Sequence, residues 1–231
     1  TRGAELSAYS NVEDTPEMRH RHKMAQAKIR GFLDHPSTTL RRYPSRNTDM
    51  PSRYARAIAL HRQGQLDLAL NEIDALIAET PTSPWFHELK GQVNYEAGRA
   101  RDGLAAYKKS IELAPDQPLL LIGLATTQLS LAENAGELSQ KFNRAAENNL
   151  RKALRLDPEN TTAYFQLSKT FGQMQQVAYA EWALAEYFAL LGRPEALKHA
   201  RRAIKGLPDR SPEKIRTTDI LEIARANRAG R

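Results

Sequence analysis

The side chains of this sequence that could bind a metal or activate water are six histidines and its carboxylates. His20 and His22 are two residues apart, so on a helix they point about 200° away from each other and cannot share an ion. His87 and Glu88 form the only His-Glu pair, but Gly91 occupies the position at which an HExxH zinc motif has its second histidine. The other histidines stand alone, and there is no cysteine to act as a thiolate ligand or nucleophile. The sequence therefore predicts neither a catalytic residue nor a metal or other cofactor site.

Small residues and prolines instead recur with a regular period. Pro81 and Pro115 are 34 residues apart, and Gly64 and Gly98 keep the same spacing. Small side chains also recur at positions 57, 91 and 125. A 34-residue period with small residues at a fixed phase is typical of the helix–turn–helix units of tetratricopeptide (TPR) repeats. Solenoids of this kind present binding surfaces, so the pattern favours an interaction module.

The repeat boundaries follow from these markers. Four two-helix repeats are predicted at residues 50–83, 84–117, 118–158 and 161–190, with an extra helix at 194–206. Repeat three closes at Pro158, which is 43 residues after Pro115, so about nine extra residues must be absorbed relative to the regular period. The polar stretch 132–142 is the expected place for this insertion, as a loop.

Both ends of the chain lie outside the repeats. Residues 15–17 (Thr-Pro-Glu) are typical of a helix start, and residues 34–52, with three prolines, are predicted as an extended connector. The first helix is expected to carry one apolar stripe, made of Met18, Ala25, Ile29, Phe32 and Leu33. Residues 211–213 (Ser-Pro-Glu) start a last polar helix. The prediction is therefore an all-α TPR solenoid at 50–208, between an N-terminal helix and connector at 1–49 and a C-terminal capping helix and tail at 209–231.

The net charge of +7 is concentrated at the two ends. Residues 1–60 carry 11 Lys and Arg against 6 Asp and Glu, residues 193–231 carry 11 against 5, and residues 61–192 carry 12 against 16. Basic ends are compatible with nucleic acid, an anionic membrane surface, an acidic neighbour or plain solvation. Neither end has a run of five like charges or basic residues interleaved with aromatics, so we expect no nucleic-acid partner.

Targeting signals and membrane spans are also not predicted. No run of apolar residues is long enough to cross a bilayer, and the chain does not open with a secretory signal peptide. Because the first residue is Thr1 rather than methionine, we expect a fragment or a processed form.

The resemblance to TPR repeats implies a concave groove lined by recurring positions of each first helix. Counted from the turn glycines, these positions hold Tyr54, Ile58, His61 and Arg62 in repeat one, Trp85, Glu88, Gln92 and Tyr95 in repeat two, Ile122 and Thr126 in repeat three, and Phe165 and Lys169 in repeat four. This aromatic and amide-rich set suits an extended or helical polypeptide segment held by apolar anchors. Packing between repeats, or against another domain of the same protein, is the alternative role for its aromatic members. Tyr107 and Trp182, on second helices, are predicted as core.

Several stretches in and around the repeats resemble one family. They are Lys23–Leu33 (KMAQAKIRGFL), Arg41–Pro44 (RRYP), Arg53–Ile58 (RYARAI), Glu88–Gln92 (ELKGQ), Leu113–Leu120 (LAPDQPLL) and Ser211–Ile220 (SPEKIRTTDI). Together they resemble the C-terminal, TPR-bearing region of bacterial HtpX-like zinc metallopeptidases of the β-barrel assembly-enhancing protease type. In that family a zinc-binding catalytic domain with the HExxH motif precedes this region.

The resemblance implies that this chain is the non-catalytic part of a peptidase. Its expected partners are substrate polypeptides, other proteins and the peptidase's own catalytic domain, which would hold the zinc. The implied location is the bacterial periplasm or the membrane surface. The alternatives are a stand-alone TPR adaptor without a protease and, from the basic ends, a binder of nucleic acid or anionic surfaces.

Overall fold

The computed structural model describes residues 14–229, which form twelve α-helices and one short 3-10 helix, with no strand among them. The helices are α1 (Pro16–Leu33), α2 (Pro36–Arg42), α3 (Met50–Arg62), α4 (Leu66–Glu79), α5 (Pro84–Glu96), α6 (Ala100–Leu113), α7 (Pro118–Ala132), α8 (Ser139–Leu156), α9 (Thr161–Gln173), α10 (Val177–Leu190), α11 (Glu195–Ala203) and α12 (Pro212–Ala229). The chain divides into two compact units, Thr1–Pro81 and Thr82–Arg231. The first contains α1–α4, and the second contains α5–α12. Residues 1–13, which precede the predicted helix start, lie outside the described residues.

In the first unit, α1 begins where the sequence predicts and packs on α3. The Thr15 side chain accepts a hydrogen bond from the backbone N–H of Met18, and Pro16 occupies the first turn. The buried residues of α1 are Ala27 and Gly31. The backbones approach so closely that a Cβ added at Gly31 would lie 2.9 Å from the Cβ of Ile58. Small residues, rather than the large apolar ones, therefore form the packed face of α1.

The apolar stripe predicted on α1 lies on the outside instead. Met18 is 50% exposed, Ile29 57% and Leu33 78%. Close helix packing selects for small side chains, and these three are too large to enter the contact that Gly31 makes with α3. Most of the stripe is therefore left exposed.

The predicted extended connector contains a helix, and that part of the prediction is wrong. Residues Pro36–Arg42 form α2, in which Thr39 is fully buried and donates from Oγ1 to the carbonyl oxygen of Arg30 at 3.1 Å. Pro36 ends α1 but also suits the first turn of a new helix, because a first-turn residue has no intrahelical use for its N–H. A proline between two polar stretches can thus start a helix as well as stop one.

Arg56 fixes the segment that follows α2. Its guanidinium is 2.7 Å from Glu72 on α4 and donates to the backbone carbonyls of Pro44 at 2.9 Å and Asn47 at 3.1 Å. A longer contact, 3.4 Å, reaches the carbonyl of Tyr43. Arg56 is only 7% exposed. One buried cation thus satisfies backbone acceptors of a segment that has no regular structure of its own.

In the second unit, three helix pairs follow the predicted repeats. Helix α5 packs on α6, α7 on α8 and α9 on α10, and each pair contacts the next. The turns at Gly98 and Gly192 have φ of 77° and 64°, the left-handed region that glycine adopts readily. The turn between α9 and α10 instead places Gln175 at φ 58°, a conformation that disfavours side chains other than glycine.

The insertion in repeat three is partly loop and partly helix. Residues 136–138 form a 3-10 turn, and α8 starts at Ser139 and runs for 18 residues, against 14 in α6. The loop prediction for 132–142 therefore holds only for its first half. The remaining extra residues lengthen the second helix of the repeat at its N-terminal end.

Tyr107 of α6 is held between two glycines on neighbouring helices. A Cβ added at Gly91 on α5 would lie 2.7 Å from its Cδ2, and one added at Gly123 on α7 would lie 2.7 Å from its Cζ. The ring is 5% exposed, and burial raises the pKa of its hydroxyl. The predicted core position of Tyr107 is confirmed, as is that of Trp182, which is 7% exposed.

The last helix, α12, is docked by charged side chains. Glu186 on α10 is 2% exposed, and both of its carboxylate oxygens accept hydrogen bonds from the Arg216 guanidinium at 3.1 Å. Arg151 on α8 reaches Glu213 at 2.9 Å and Glu147 at 2.8 Å. These ion pairs tie α12 to helices 30 and 62 residues earlier in the chain.

Replacing Arg216 with alanine is expected to lower the free energy of unfolding by about 2 kcal/mol, because it leaves the buried Glu186 carboxylate without its cation. The arginine's own exposure, 58%, keeps the loss below that of a fully buried pair. Hydrogen exchange should accelerate in α12. The matched control is Arg193→Ala, which breaks an exposed pair with Glu195 and should change stability little. Equal effects of the two variants would contradict this assignment.

Candidate polypeptide-binding surface

The predicted groove residues lie on the first helices of the repeats. Those of repeat one are on α3, and those of the later repeats are on α5, α7 and α9. Within the second unit, α5 contacts α7 and α7 contacts α9, so the first helices of repeats two to four follow one another. This arrangement brings the eight predicted residues of the second unit onto three consecutive neighbouring helices.

In repeat one, the chain's own N-terminal segment packs on two of the four predicted positions. Ile58 is fully buried beside Gly31. The Arg62 guanidinium donates to the backbone carbonyls of Gly31 at 2.8 Å and Asp34 at 2.6 Å. Tyr54 is 2% exposed, so Tyr54 and Ile58 present no surface to a ligand in this structure. His61 is half-buried.

In repeats two to four, the predicted residues divide by exposure. Glu88 and Ile122 are buried, at 5% and 6% exposed. The exposed or half-buried members are Trp85, Gln92, Tyr95, Thr126, Phe165 and Lys169. We call these six the first-helix surface. Trp85 and Phe165 are 37% and 43% exposed, and they are the only Phe, Tyr or Trp side chains of the exposed class among residues 14–223.

Two polar side chains of the first-helix surface already form hydrogen bonds within their own helices. The Gln92 amide donates to Glu96 at 2.8 Å, and the Thr126 hydroxyl donates to the carbonyl of Ile122 at 2.9 Å. Each leaves acceptor capacity, because an amide oxygen and a hydroxyl oxygen can still take hydrogen bonds. Polar contacts to a ligand can therefore form without breaking these bonds.

An aromatic row that the sequence did not predict adjoins Phe165. The Phe165 ring centroid is 5.4 Å from that of Tyr187, which is 5.0 Å from Phe188. Phe188 stacks on His199 at 5.2 Å with an interplanar angle of 13°. His199 is held by Glu181, whose carboxylate oxygen is 2.6 Å from its Nδ1. The consecutive aromatic residues at 187 and 188 were the only sequence signal, and they mark a second helix rather than a first one.

The insertion shapes a pocket of its own in the second unit. The open pocket has a volume of about 810 Å³, and its walls come from the turn before α6, the end of α7 and the insertion. Leu138 and Phe142 of the insertion contribute to the lining, together with Arg99 and Arg101. The insertion therefore adds surface at the turn edge of repeats two and three.

The described residues do not assemble metal-ligand chemistry. Within residues 14–223 there is no cluster of three or more His, Asp or Glu side chains that could hold a metal ion. None of the helices in the described part of the chain combines the length and the apolar character that crossing a bilayer requires.

Comparison with known proteins identifies the fold. No protein-family model matches the chain, and no curated protein matches it. Among solved structures, PilW, a widely conserved type IV pilus biogenesis factor, aligns with a TM-score of 0.61 at 14% identity over 88% of this chain and 92% of PilW. MamA from Desulfovibrio magneticus RS-1 aligns with a TM-score of 0.53 at 14% identity over 84% and 97% of the two chains. Yeast Tom70 aligns with a TM-score of 0.55 at 15% identity over 96% of this chain and 45% of Tom70. The predicted fold class is confirmed: the chain has the all-α helical fold of the TPR solenoid proteins.

Proposed function

We propose that this chain is a protein-interaction module that binds a polypeptide segment on its first-helix surface. One observation carries the proposal: Trp85 and Phe165, the two most exposed Phe, Tyr or Trp side chains among residues 14–223, both occupy positions that line the groove in TPR repeats. Large exposed aromatic residues at recurring positions are the usual anchors of protein interfaces. The TPR fold places such positions on consecutive helices.

The chemistry of this surface favours a segment with apolar anchors and a few polar groups. Trp85 and Phe165 offer rings on which apolar side chains can pack, and Gln92 and Thr126 offer hydrogen-bonding groups. Lys169, exposed one helical turn after Phe165, suits a carboxylate on the bound segment. Buried Glu88 and Ile122 support the surface from below rather than contacting the ligand.

A peptide selection tests this proposal. Peptides from a random displayed library are selected on the full chain, and the affinity of the best binder is measured by calorimetry. The double variant Trp85→Ala/Phe165→Ala is expected to raise the Kd of that peptide by about 30-fold or more, since two anchors of an interface are lost. Helical content measured by circular dichroism should be unchanged, because both side chains are partly exposed.

The control for this experiment removes two exposed apolar residues elsewhere. Leu68→Ala/Val177→Ala changes side chains that are 53% and 68% exposed and lie on second helices. It should leave the Kd unchanged. Equal affinity of the Trp85/Phe165 variant and the wild type, or an equal loss in the control, would refute the first-helix surface as the binding site.

The resemblance of the six stretches raises a finer candidate: the non-catalytic TPR region of an HtpX-like zinc metallopeptidase, which would present polypeptides to a catalytic domain in the periplasm or at a membrane. Their contacts within this chain are structural. Gly31 packs on Ile58, Arg56 binds the carbonyls of Tyr43 and Pro44, and Arg216 pairs with Glu186. A stand-alone TPR scaffold with the same packing needs would carry such residues as well, so the stretches support the fold in both cases.

The natural gene product separates these two candidates. An antibody raised against this chain is used to isolate the product from its host, and the mass and zinc content of that product are measured. A product well above 26.0 kDa that retains zinc is expected for the peptidase region. A product of 26.0 kDa without zinc would instead establish the scaffold. The first-helix surface is proposed as the binding site in either case.

A further inference from the structure

Helix α1 has one face that packs on the first unit and an opposite face that is exposed. Ala27 and Gly31 pack on α3, and Arg62 binds the carbonyl oxygens at the end of the helix. These contacts fix the orientation of α1 on the first unit. At about 100° per residue, the predicted apolar stripe lies nearly opposite Ala27 and Gly31.

The outer face of α1 is mostly apolar, with His22 as its one polar side chain. We define it by the six residues Met18, His22, Ala25, Ile29, Phe32 and Leu33, which fall within a sector of about 100°. Phe32 is half-buried, and the other five residues are exposed. The most exposed of them, Leu33, has 78% of its surface accessible. An 18-residue helix of this kind offers a strip about 27 Å long.

Basic residues run along both edges of this strip. Arg21 and Lys28 lie on one edge, and Arg19, Lys23 and Arg30 lie on the other. Glu17 is the single acidic residue of the helix, and it is 2.7 Å from Arg21. The helix thus carries five basic residues against one acidic residue.

We propose that the outer face of α1 binds an anionic lipid surface. A mostly apolar strip with Lys and Arg on both edges is the pattern of helices that lie in the membrane interface, with the apolar side chains at the level of the acyl boundary and the cations at the phosphates. The long basic side chains can pack their stems beside the strip while their charged ends reach the headgroups. This function is separate from polypeptide binding, because no residue of α1 belongs to the first-helix surface.

Other partners fit the same face less well. The phosphates of a nucleic acid would meet the apolar strip at the centre of the basic face, where they gain no ion pair. A protein partner anchored here would contact a strip without Trp or Tyr, two of the residue types that most often anchor protein interfaces. A flat anionic surface uses the strip and both basic edges at once.

Vesicle binding by the full chain tests the proposal. Cosedimentation is measured with vesicles of phosphatidylcholine containing phosphatidylglycerol, and with vesicles of phosphatidylcholine alone. The wild type is expected to bind the anionic vesicles, and added salt should weaken that binding. Ile29→Gln/Leu33→Gln, which keeps the charge, should lower the partition coefficient by about tenfold or more. Lys23→Gln/Arg30→Gln should lower it comparably.

The control again uses exposed apolar residues outside α1. Leu68→Gln/Val177→Gln should bind vesicles like the wild type. No binding of the wild type to anionic vesicles would overturn the proposal, as would binding that the Ile29/Leu33 variant retains. Binding to duplex DNA without binding to vesicles would assign the face to nucleic acid and overturn it as well. The Ile29/Leu33 variant should keep the wild-type Kd for the selected peptide, so failure here is distinguishable from failure of the proposed function.

Discussion

Gly123→Ala is expected to lower the free energy of unfolding by about 3 kcal/mol, at the upper end of the cost of overpacking a core. The added methyl group would lie 2.7 Å from Cζ and 2.9 Å from the hydroxyl oxygen of Tyr107, and closer still to its Cε1. The ring has little room to move away, because Gly91 lies along the edge that carries Cδ2 and Cε2, where an added Cβ would be 2.7 Å from Cδ2. The two helices must therefore separate, or the ring must leave its position.

Tryptophan fluorescence in a urea titration measures this loss, since both tryptophans, Trp85 and Trp182, are in the second unit with Tyr107. A smaller side chain should relieve the clash: in Gly123→Ala/Tyr107→Leu the combined loss should be clearly less than the sum of the two single losses. Gly172→Ala is the matched control, because no atom of another helix lies within 4 Å of the place that its Cβ would take and alanine favours a helix. If Gly172→Ala lowered the free energy of unfolding as much as Gly123→Ala, the packing of Tyr107 between Gly91 and Gly123 would not be the cause.

The 34-residue period made the repeats predictable because it reflects local requirements. A left-handed turn residue and a small residue at a helix crossing are needed at the same place in each repeat, and Gly98 and Gly91 meet these needs in repeat two. Repeat four shows the limit of such markers. Its turn places Gln175 at φ 58°, and the Gln176 N–H donates to the Phe171 carbonyl. The left-handed turn is therefore present without the glycine that marks it in the sequence of repeat two.

The exposure of the groove positions could not be predicted from the repeat pattern. Ile58 and Phe165 both occupy groove positions of their repeats, yet Ile58 is fully buried and Phe165 is 43% exposed. The difference arises because α1 packs on α3, a contact between distant parts of the chain that depends on Gly31. The repeat pattern describes only the features that the repeats have in common. The helix that buries Ile58, α1, lies outside the repeats, so the pattern could not predict this burial.

The burial of charged residues could likewise not be predicted from the sequence around them. Glu186 lies on a mostly apolar helix and gives no sign that Arg216, 30 residues later, will reach it. Charged residues are ordinarily predicted to be solvated, and burial is tolerable only when a partner from a distant segment arrives with the right geometry. Such pairs attach the irregular segments of this protein to its regular repeats. In those segments the periodic apolar pattern is weak and provides few packing contacts.

Arg56 is the strongest example, and Arg56→Met is expected to lower the stability of the first unit by about 3–5 kcal/mol. The arginine is 7% exposed, and its removal leaves the carbonyl of Asn47 without its donor and that of Pro44 with the Asn47 N–H alone. It also takes from Glu72 its closer cation, at 2.7 Å, and leaves only the 3.4 Å contact with Arg53. Methionine fills similar volume, so the loss reflects hydrogen bonds and charge rather than a cavity.

Hydrogen exchange resolved by peptide is the suitable measurement, because the first unit contains no tryptophan. Exchange in Arg56→Met should accelerate from α2 through α3, because the anchored segment lies between these helices and its cation is on α3. Arg56→Lys should recover part of the protection, since an ammonium keeps the charge near Glu72 but cannot reach Glu72 and the backbone carbonyls in the fork geometry of a guanidinium. Arg53→Met is the matched control: it removes ion pairs to Glu72 and the half-exposed Glu79 but no contact with the segment. Equal acceleration in Arg53→Met would mean that the charge on Glu72, and not the anchoring of residues 43–47, determines the stability of this unit.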